Sequence, residues 1–352
     1  MRRIVQILGY FSYGDAISNH TVAIHRELEQ RGVESFIYAD YIDPRHKELG
    51  RPIAQYEPDA EDVILYHLST GSDLNRKVTE YPGKLIINYH NITPPHFFYG
   101  YSAEMEAACV RGYEDAVFLK EYAAAVVSDS TYNTGELERM GYTCPMYSIP
   151  IFMDFADYDM TPDPDVMEKY SDGAKNILFV GRIAPNKKQE DVIRAFYAYT
   201  RHFEPNSRLI LVGNYSKLEN YYLKLKKYAK KLGLTNVIFP GHTTFAQILA
   251  YYRTADLFLC QSEHEGFCVP LVEAMHFEKP IVAFDSSAVG ETLGEAGILL
   301  QEKDPVLTAA VMDQVIRDPR LQQQIRENQK ENMLRFRRET VAEAYMKILL
   351  GE

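Results

Sequence analysis

The 352-residue chain is 46% hydrophobic and 25% charged, and its 38 Lys and Arg stand against 49 Asp and Glu for a net charge of −11. That length accommodates two ordinary domains, the composition excludes disorder as the main state, and the negative balance argues against a general nucleic-acid binder. Cys109, Cys144, Cys260 and Cys268 show no C-x-x-C spacing. Neither a zinc site nor a disulfide framework is suggested, and they read as reduced thiols of a cytosolic protein.

The chain opens MRRIVQILGYFSYGD, whose apolar run is broken by Gly9 and Gly14 and is too short for a signal peptide. No stretch approaches the ~18 apolar residues of a spanning helix, so a cytoplasmic protein is expected, with any membrane contact peripheral. Ile4–Leu8 reads as a first strand, and Gly14–Asp15 follows it to open a helix over Asp15–Arg31, ended by Gly32. That junction is either a tight turn or a place where helix amides meet a ligand. It is not G-x-G-x-x-G, which speaks against a nicotinamide-dependent oxidoreductase. Further short β-rich runs fall at Ser35–Ala39, Val63–Tyr66, Leu85–Tyr89, Ala125–Ser128 and Met146–Ile149. His90 stands at the end of one of them, as a structural histidine or a ligand contact. The aromatic cluster His96–Tyr101 follows, with His96, Phe97, Phe98 and Tyr99 suited to sugar rings or a lipid carrier, or simply to packing.

Residues 154–173 are polar, acidic and proline-containing, and read as an interdomain linker. Asp157, Asp159, Asp163 and Asp165 give D-x-D spacings there, but among prolines they suit a solvated linker better than a metal site. No metal is expected. Beyond the linker, strands at Asn176–Val180, Leu209–Val212, Val237–Phe239, Leu257–Cys260 and Ile281–Phe284 alternate with helices, which predicts a second parallel sheet. FVGRIAPNKK places Gly181, Arg182 and Lys187 after a strand, where two cations fit a diphosphate. In SEHEGFCVPLVEAM, Pro270 suits a first helical turn, so the amides of Gly266, Phe267, Cys268 and Val269 would form an anion site flanked by Glu265 and Glu273. The alternative is that the two carboxylates merely cap the helix and complement its dipole. The lysines of Lys224–Lys231 read as a solvated helix face rather than a membrane patch. Gln329–Leu350 reads as helical, with apolar Met333, Phe336, Val341, Tyr345 and Ile348.

Taken together, Glu265-GFCVPLV-Glu273, Gly181-Arg182 with Lys187, and the run EKPIVAFDSSAVGETLGEAGILL resemble the retaining glycosyltransferases of family 4, the glycosyl transferases group 1. The likeness is dense between residues 176 and 301 and thinner in the first half, where it rests on Gly14–Asp15 and His90. Two positions depart from the pattern: Cys268 stands where members usually have the second glycine of EGFG, and Lys188 where glycine is frequent.

The resemblance implies an α/β protein of the GT-B class, two Rossmann-like domains with parallel sheets facing a central cleft. It implies an acceptor-side domain over 1–153 with a returning helix near 329–352, and a donor domain over 174–328. It further implies transfer of a sugar, with retention, from a UDP-, GDP- or dTDP-linked donor to a saccharide or lipid-linked acceptor, without cofactor or nucleic acid. Glu265 would hold donor-sugar hydroxyls, Glu273 the ribose, and Arg182 and Lys187 the leaving diphosphate. His90 would face sugar and phosphate, Gly14 and Asp15 the diphosphate or acceptor, and Gly241 and His242 the base. A GT-B epimerase or hydrolase, or a silent sugar-nucleotide binder, is the alternative.

Overall fold

The computed structural model describes residues 3–241 and 243–351. The chain divides into two compact units: the first holds Met1–His96, Glu104–Asp154 and Arg335–Glu352, the second Phe97–Ala103 and Phe155–Leu334.

The first unit is built on seven strands: β1 (Ile4–Phe11), β2 (Ser35–Ile42), β3 (Gly50–Pro52), β4 (Val63–Leu68), β5 (Lys84–Tyr89), β6 (Ala125–Ser128) and β7 (Met146–Ser148). They form one parallel sheet in the order β3-β2-β1-β4-β5-β6-β7. Strands buried on both faces need nearly continuous apolar sequence, and VILYHL in β4 is buried at every position. Asp15 N-caps the first helix, Ala16–Gln30, by accepting from the Ser18 amide at 3.1 Å. Its Ile24 and Leu28 pack over Val63, Ile86, Val127 and Phe152, together with Val341 and Tyr345 of the helix Arg338–Met346. The continuous final helix expected over Gln329–Leu350 is interrupted. Pro319–Asn332 is followed by a 3-10 turn at Met333–Phe336, and the second segment belongs to the first unit's core. Amphipathic spacing persisted across the break, which is why the interruption escaped the periodicity.

The second unit carries β8 (Lys175–Val180), β9 (Ser207–Val212), β10 (Val237–Ile238), β11 (Leu257–Cys260), β12 (Ile281–Phe284) and β13 (Ile298–Leu300), all parallel, in the order β10-β9-β8-β11-β12-β13. Both sheets thus reverse direction of growth beside their first strand. In open α/β sheets the loops beyond the strand ends at such a reversal form the natural ligand crevice. For the second sheet these are the loops after β8 and β11.

The stretch 154–173, expected as an irregular solvated linker, is instead ordered. Asp163 N-caps a helix at Pro164–Lys169, and Tyr158 in a 3-10 turn at Phe155–Asp159 is buried. Proline at a first helical turn starts a helix rather than breaking one. Phe97–Ala103 joins the second unit through Tyr101, whose ring lies 5.3 Å from that of Tyr221 and whose hydroxyl is 2.6 Å from Lys224 Nζ.

Candidate functional site

The loop after β8 and the loop after β11 are tied together. Asn186 Nδ2 donates to the His264 carbonyl at 3.0 Å, and the Glu263 amide donates to the Asn186 carbonyl at 2.8 Å. This brings Lys187 Nζ into a salt bridge with the Glu265 carboxylate. The Lys187 side chain is 21% exposed and that of Glu265 7%. Burial is the largest single influence and opposes the Lys187 ammonium, but the charge and hydrogen bond of Glu265, helped by Cys268 and Cys260, together outweigh it and hold the lysine above its usual range. The Glu265 backbone is anchored separately: its amide donates to Ser287 Oγ at 2.8 Å and its carbonyl accepts from the Ala288 amide at 3.3 Å.

Gly266, Phe267, Cys268 and Val269 lead into the helix Val269–His276, with Cys268 at the N-cap in a left-handed conformation, φ 75° and ψ 63°. An L side chain there costs about 1–2 kcal/mol that glycine would avoid. The Cys268 thiol hydrogen-bonds Cys260, at the end of β11, which lifts the Cys268 thiol well above the ordinary range and lowers that of Cys260. Sequence spacing hid this pairing, because a strand end and a helix start eight positions apart meet only after the loop folds back.

Glu273, in the same helix, accepts from the Tyr158 hydroxyl at 2.7 Å and the Tyr252 hydroxyl at 2.6 Å. Burial raises its carboxyl pKa, and the two tyrosines pull against that rise. No motif or periodicity marks Tyr158, which lies in the stretch expected as a linker. Tyr158→Phe should cost about 1.5–3 kcal/mol, the scale of a hydrogen bond to a charged group, read as a lower urea midpoint. Because the Tyr158 hydroxyl favours the ionised carboxylate, that cost should shrink as pH falls through the raised carboxyl pKa and Glu273 takes up its proton. A midpoint loss equal at acid and neutral pH would overturn this account.

Arg182 is exposed, with Nη2 donating to the Ser216 carbonyl at 2.9 Å. Gly181 has φ 147° and Gly241 φ 79°, while His242 lies outside the described residues. Of the aromatic cluster, Phe97 lies 6.2 Å from the His264 ring, Phe98 is 3% exposed, Tyr99 77% exposed and His96 exposed. Phe98 is therefore packing rather than an open sugar platform.

In the first unit, Gly14 (φ 76°) makes the turn, and the Asp15 carboxylate serves as the cap already described. His90 is 9% exposed and part of a buried histidine cluster that sequence reading missed. Its Nδ1 is 2.9 Å from Asp129 Oδ2 and its Nε2 2.9 Å from His67 Nδ1. Gln6 Nε2 donates to the Thr21 carbonyl, which turns Gln6 Oε1 to His67 Nε2 at 3.1 Å. His67 Nε2 is thus a donor, and its Nδ1 accepts from His90. His20 Nδ1 accepts the Phe152 amide at 2.8 Å, and burial pushes its pKa down to about 3. Both ring nitrogens of His90 are accordingly engaged within the unit. An alternation of apolar and polar residues cannot reveal that β4, the loop after β5 and the first helix each turn a histidine to one point.

Residues 167–332 match the family of glycosyl transferases group 1. The chain is 28% identical to an uncharacterized glycosyltransferase of Methanocaldococcus jannaschii over 171 residues, which are 47% of this chain and 46% of that protein. It is 34% identical to the mannosylfructose-phosphate synthase of Agrobacterium fabrum over 122 residues, 33% of this chain and 27% of the relative. These alignments span less than half of either relative. The structure of Anabaena HepE in complex with UDP-glucose superposes over 99% of this chain and 100% of that one, with a TM-score of 0.76 and 18% identity. Two parallel doubly wound sheets and that likeness make the fold GT-B. Through residues 167–332, the chain is similar to the glycosyl transferases group 1 family, on a scaffold of that fold.

Proposed function

We propose that the chain is a retaining glycosyltransferase that moves a sugar from a nucleotide-sugar donor to a glycan or lipid-linked saccharide acceptor. The observation that carries this is the Lys187–Glu265 pair, held on the two loops where the second sheet reverses order, inside the segment that matches the family. A cation and a carboxylate kept together at that position suit a substrate with an anionic leaving group next to a hydroxyl-rich ring. HepE, of the same fold, binds UDP-glucose, which supports a nucleotide-linked donor.

In this reading Glu265 accepts hydrogen bonds from donor-sugar hydroxyls, and Glu273 from the ribose, with Tyr158 and Tyr252 fixing its orientation. Lys187 and Arg182 neutralise the diphosphate as the bond from the anomeric carbon to phosphate oxygen breaks. The acceptor oxygen bonds to the same face of that carbon, and its proton passes to the departing phosphate. Gly266 to Val269 line the sugar, Gly181 the diphosphate, and Gly241 the base. Gly14 opens the first unit's helix towards diphosphate or acceptor. His90 keeps Asp129 on its Nδ1 and would exchange its Nε2 contact to His67 for sugar or phosphate when donor binds. Fixed protein cations replace a divalent metal in this scheme, and the reaction runs at the cytoplasmic side. No helix among the described residues is long and apolar enough to cross a membrane.

The test is turnover of a panel of UDP-, GDP- and dTDP-sugars with and without saccharide acceptors, in excess EDTA, with the anomeric configuration of the product read by NMR. Acceptor-dependent retention unaffected by EDTA is expected. Donor consumption at the same rate without acceptor would make the chain a hydrolase or epimerase instead. Activity lost in EDTA and restored by magnesium or manganese would overturn the role given to Arg182 and Lys187. Glu265→Ala should lower turnover while nucleoside diphosphate still binds, whereas Glu273→Ala should weaken the nucleotide itself, roughly 10–150-fold for one charged hydrogen bond. Equal loss of diphosphate affinity in both variants would reject that division.

A further inference from the structure

We infer that Cys260, Cys268 and Glu265 form a binding site for a thiophilic divalent cation of the zinc or cadmium type. One ligand atom from each lies within 4.8 Å of the others, and the three residues are 1%, 5% and 6% exposed. Two ligands of a four-coordinate ion with metal–sulfur bonds of ~2.3 Å stand about 3.8 Å apart, so closing the site needs shifts of only about an ångström. Two sulfurs and a carboxylate are a donor set that selects zinc-type ions over magnesium or calcium.

The charge balance is the stronger argument. With both thiols protonated, the Glu265 carboxylate and the Lys187 ammonium cancel. A divalent ion that replaces the two thiol protons leaves two thiolates, one carboxylate, one ammonium and two positive charges, which again sum to zero. The exchange therefore buries no net charge, the term that ordinarily makes an internal ion costly. Lys187, whose side chain is the partly exposed one of the four, provides the counter-charge and the solvent edge. The fourth position stays open for water, as in sites that are not purely structural.

The histidine cluster of the first unit offers no such exchange. His20, His67 and His90 are also close together, but His20 has both nitrogens committed, to the Phe152 amide and to Asn88 Oδ1 at 2.9 Å. A cation there would break a satisfied buried network, whereas at Cys268 it would replace a weak thiol contact. Cys268 also holds its side chain in the left-handed region, so the thiol sits where a glycine would be relaxed.

The experiment is titration of the full reduced chain with cadmium, reading the near-ultraviolet thiolate-to-cadmium charge-transfer band, with zinc as competitor. One equivalent should bind, and the melting temperature should rise with free ion as expected for a ligand of the native state. Cys260→Ser should lose the band and the melting shift, with affinity falling by more than the 10–100-fold of an outer-shell change. Cys144→Ser should keep both. Glu265→Gln should retain the band with weakened affinity. A band of full strength in Cys260→Ser, or none in the parent chain, would overturn the site. Should Cys260→Ser fail to fold, Cys260→Ala and Cys268→Gly carry the same expectation. These readouts are independent of turnover, so they stand or fall apart from the transferase reading.

Discussion

Lys187→Ala should cut turnover by about 10²–10³, the scale for removing one stabiliser of charge that develops in the transition state. It should also destabilise the fold, because it strands the Glu265 carboxylate, whose side chain is 7% exposed, without its ammonium partner. Breaking a fully buried pair costs about 3–5 kcal/mol, and the 21% exposure of Lys187 places this one near the lower end. The two effects separate in a double variant. Lys187→Ala with Glu265→Gln removes both charges, so the urea midpoint should recover most of the loss while turnover stays low. Recovery of turnover along with stability would mean that Lys187 acts only by supporting the loop. The pH course adds a second check. The folded-state pKa of Lys187 is raised above its ordinary 10.5, so its contribution is complete at neutral pH and vanishes only as pH climbs through the raised value. The stability gap between parent and Lys187→Ala should therefore be flat across neutral pH and close in strong alkali. A gap that closes near neutrality would contradict the pairing.

What sequence could reveal here divides along physical lines. Alternating short apolar runs and helices fix parallel sheets locally, because a strand covered on both faces must be largely apolar, and the central strands of both sheets follow that pattern. The Gly181–Lys187 and Glu265–Glu273 segments were legible for a related reason. Each lies within one loop and one helix start, so its residue types and spacing survive in one dimension. The direct pairing of Lys187 with Glu265, 78 positions apart, was not legible, and neither were the Tyr158 hydroxyl on Glu273 or the thiol of Cys268 on Cys260. These contacts are set by which strands become neighbours and how the loops between them fold back, and no periodicity encodes that. The histidine cluster is the extreme case, since His20, His67 and His90 come from three separate elements. Tyr158 was hidden behind composition: proline and aspartate suggested a solvated tether, yet Asp163 and Pro164 there begin a helix.

Gly213→Ala is expected to damage both stability and turnover, although no sequence signal marks this glycine. It follows β9, and a Cβ placed on it would stand 1.9 Å from the Gly181 carbonyl oxygen, 2.8 Å from the Gly181 carbonyl carbon and 3.4 Å from Arg182 Cα. Those neighbours are backbone, so no side chain can swing aside. The Gly181–Arg182 loop must move by more than an ångström. That movement strains two main-chain hydrogen bonds that join the loops after β8 and β9, from the Gly181 amide to the Val212 carbonyl at 3.0 Å and from the Ile183 amide to the Asn214 carbonyl at 2.9 Å. Overpacking at about 1–3 kcal/mol and one weakened hydrogen bond at about 1 kcal/mol give a loss of about 3 kcal/mol. Displacing Arg182 by an ångström should cost turnover about 10²-fold, because a transition-state contact tolerates little misplacement. Gly9→Ala is the control: a Cβ there meets nothing within 4 Å, so both stability and turnover should stay close to the parent. If Gly213→Ala lost stability but kept full turnover, although the new Cβ must push the Gly181–Arg182 backbone aside, the assignment of Arg182 to the leaving group would fall.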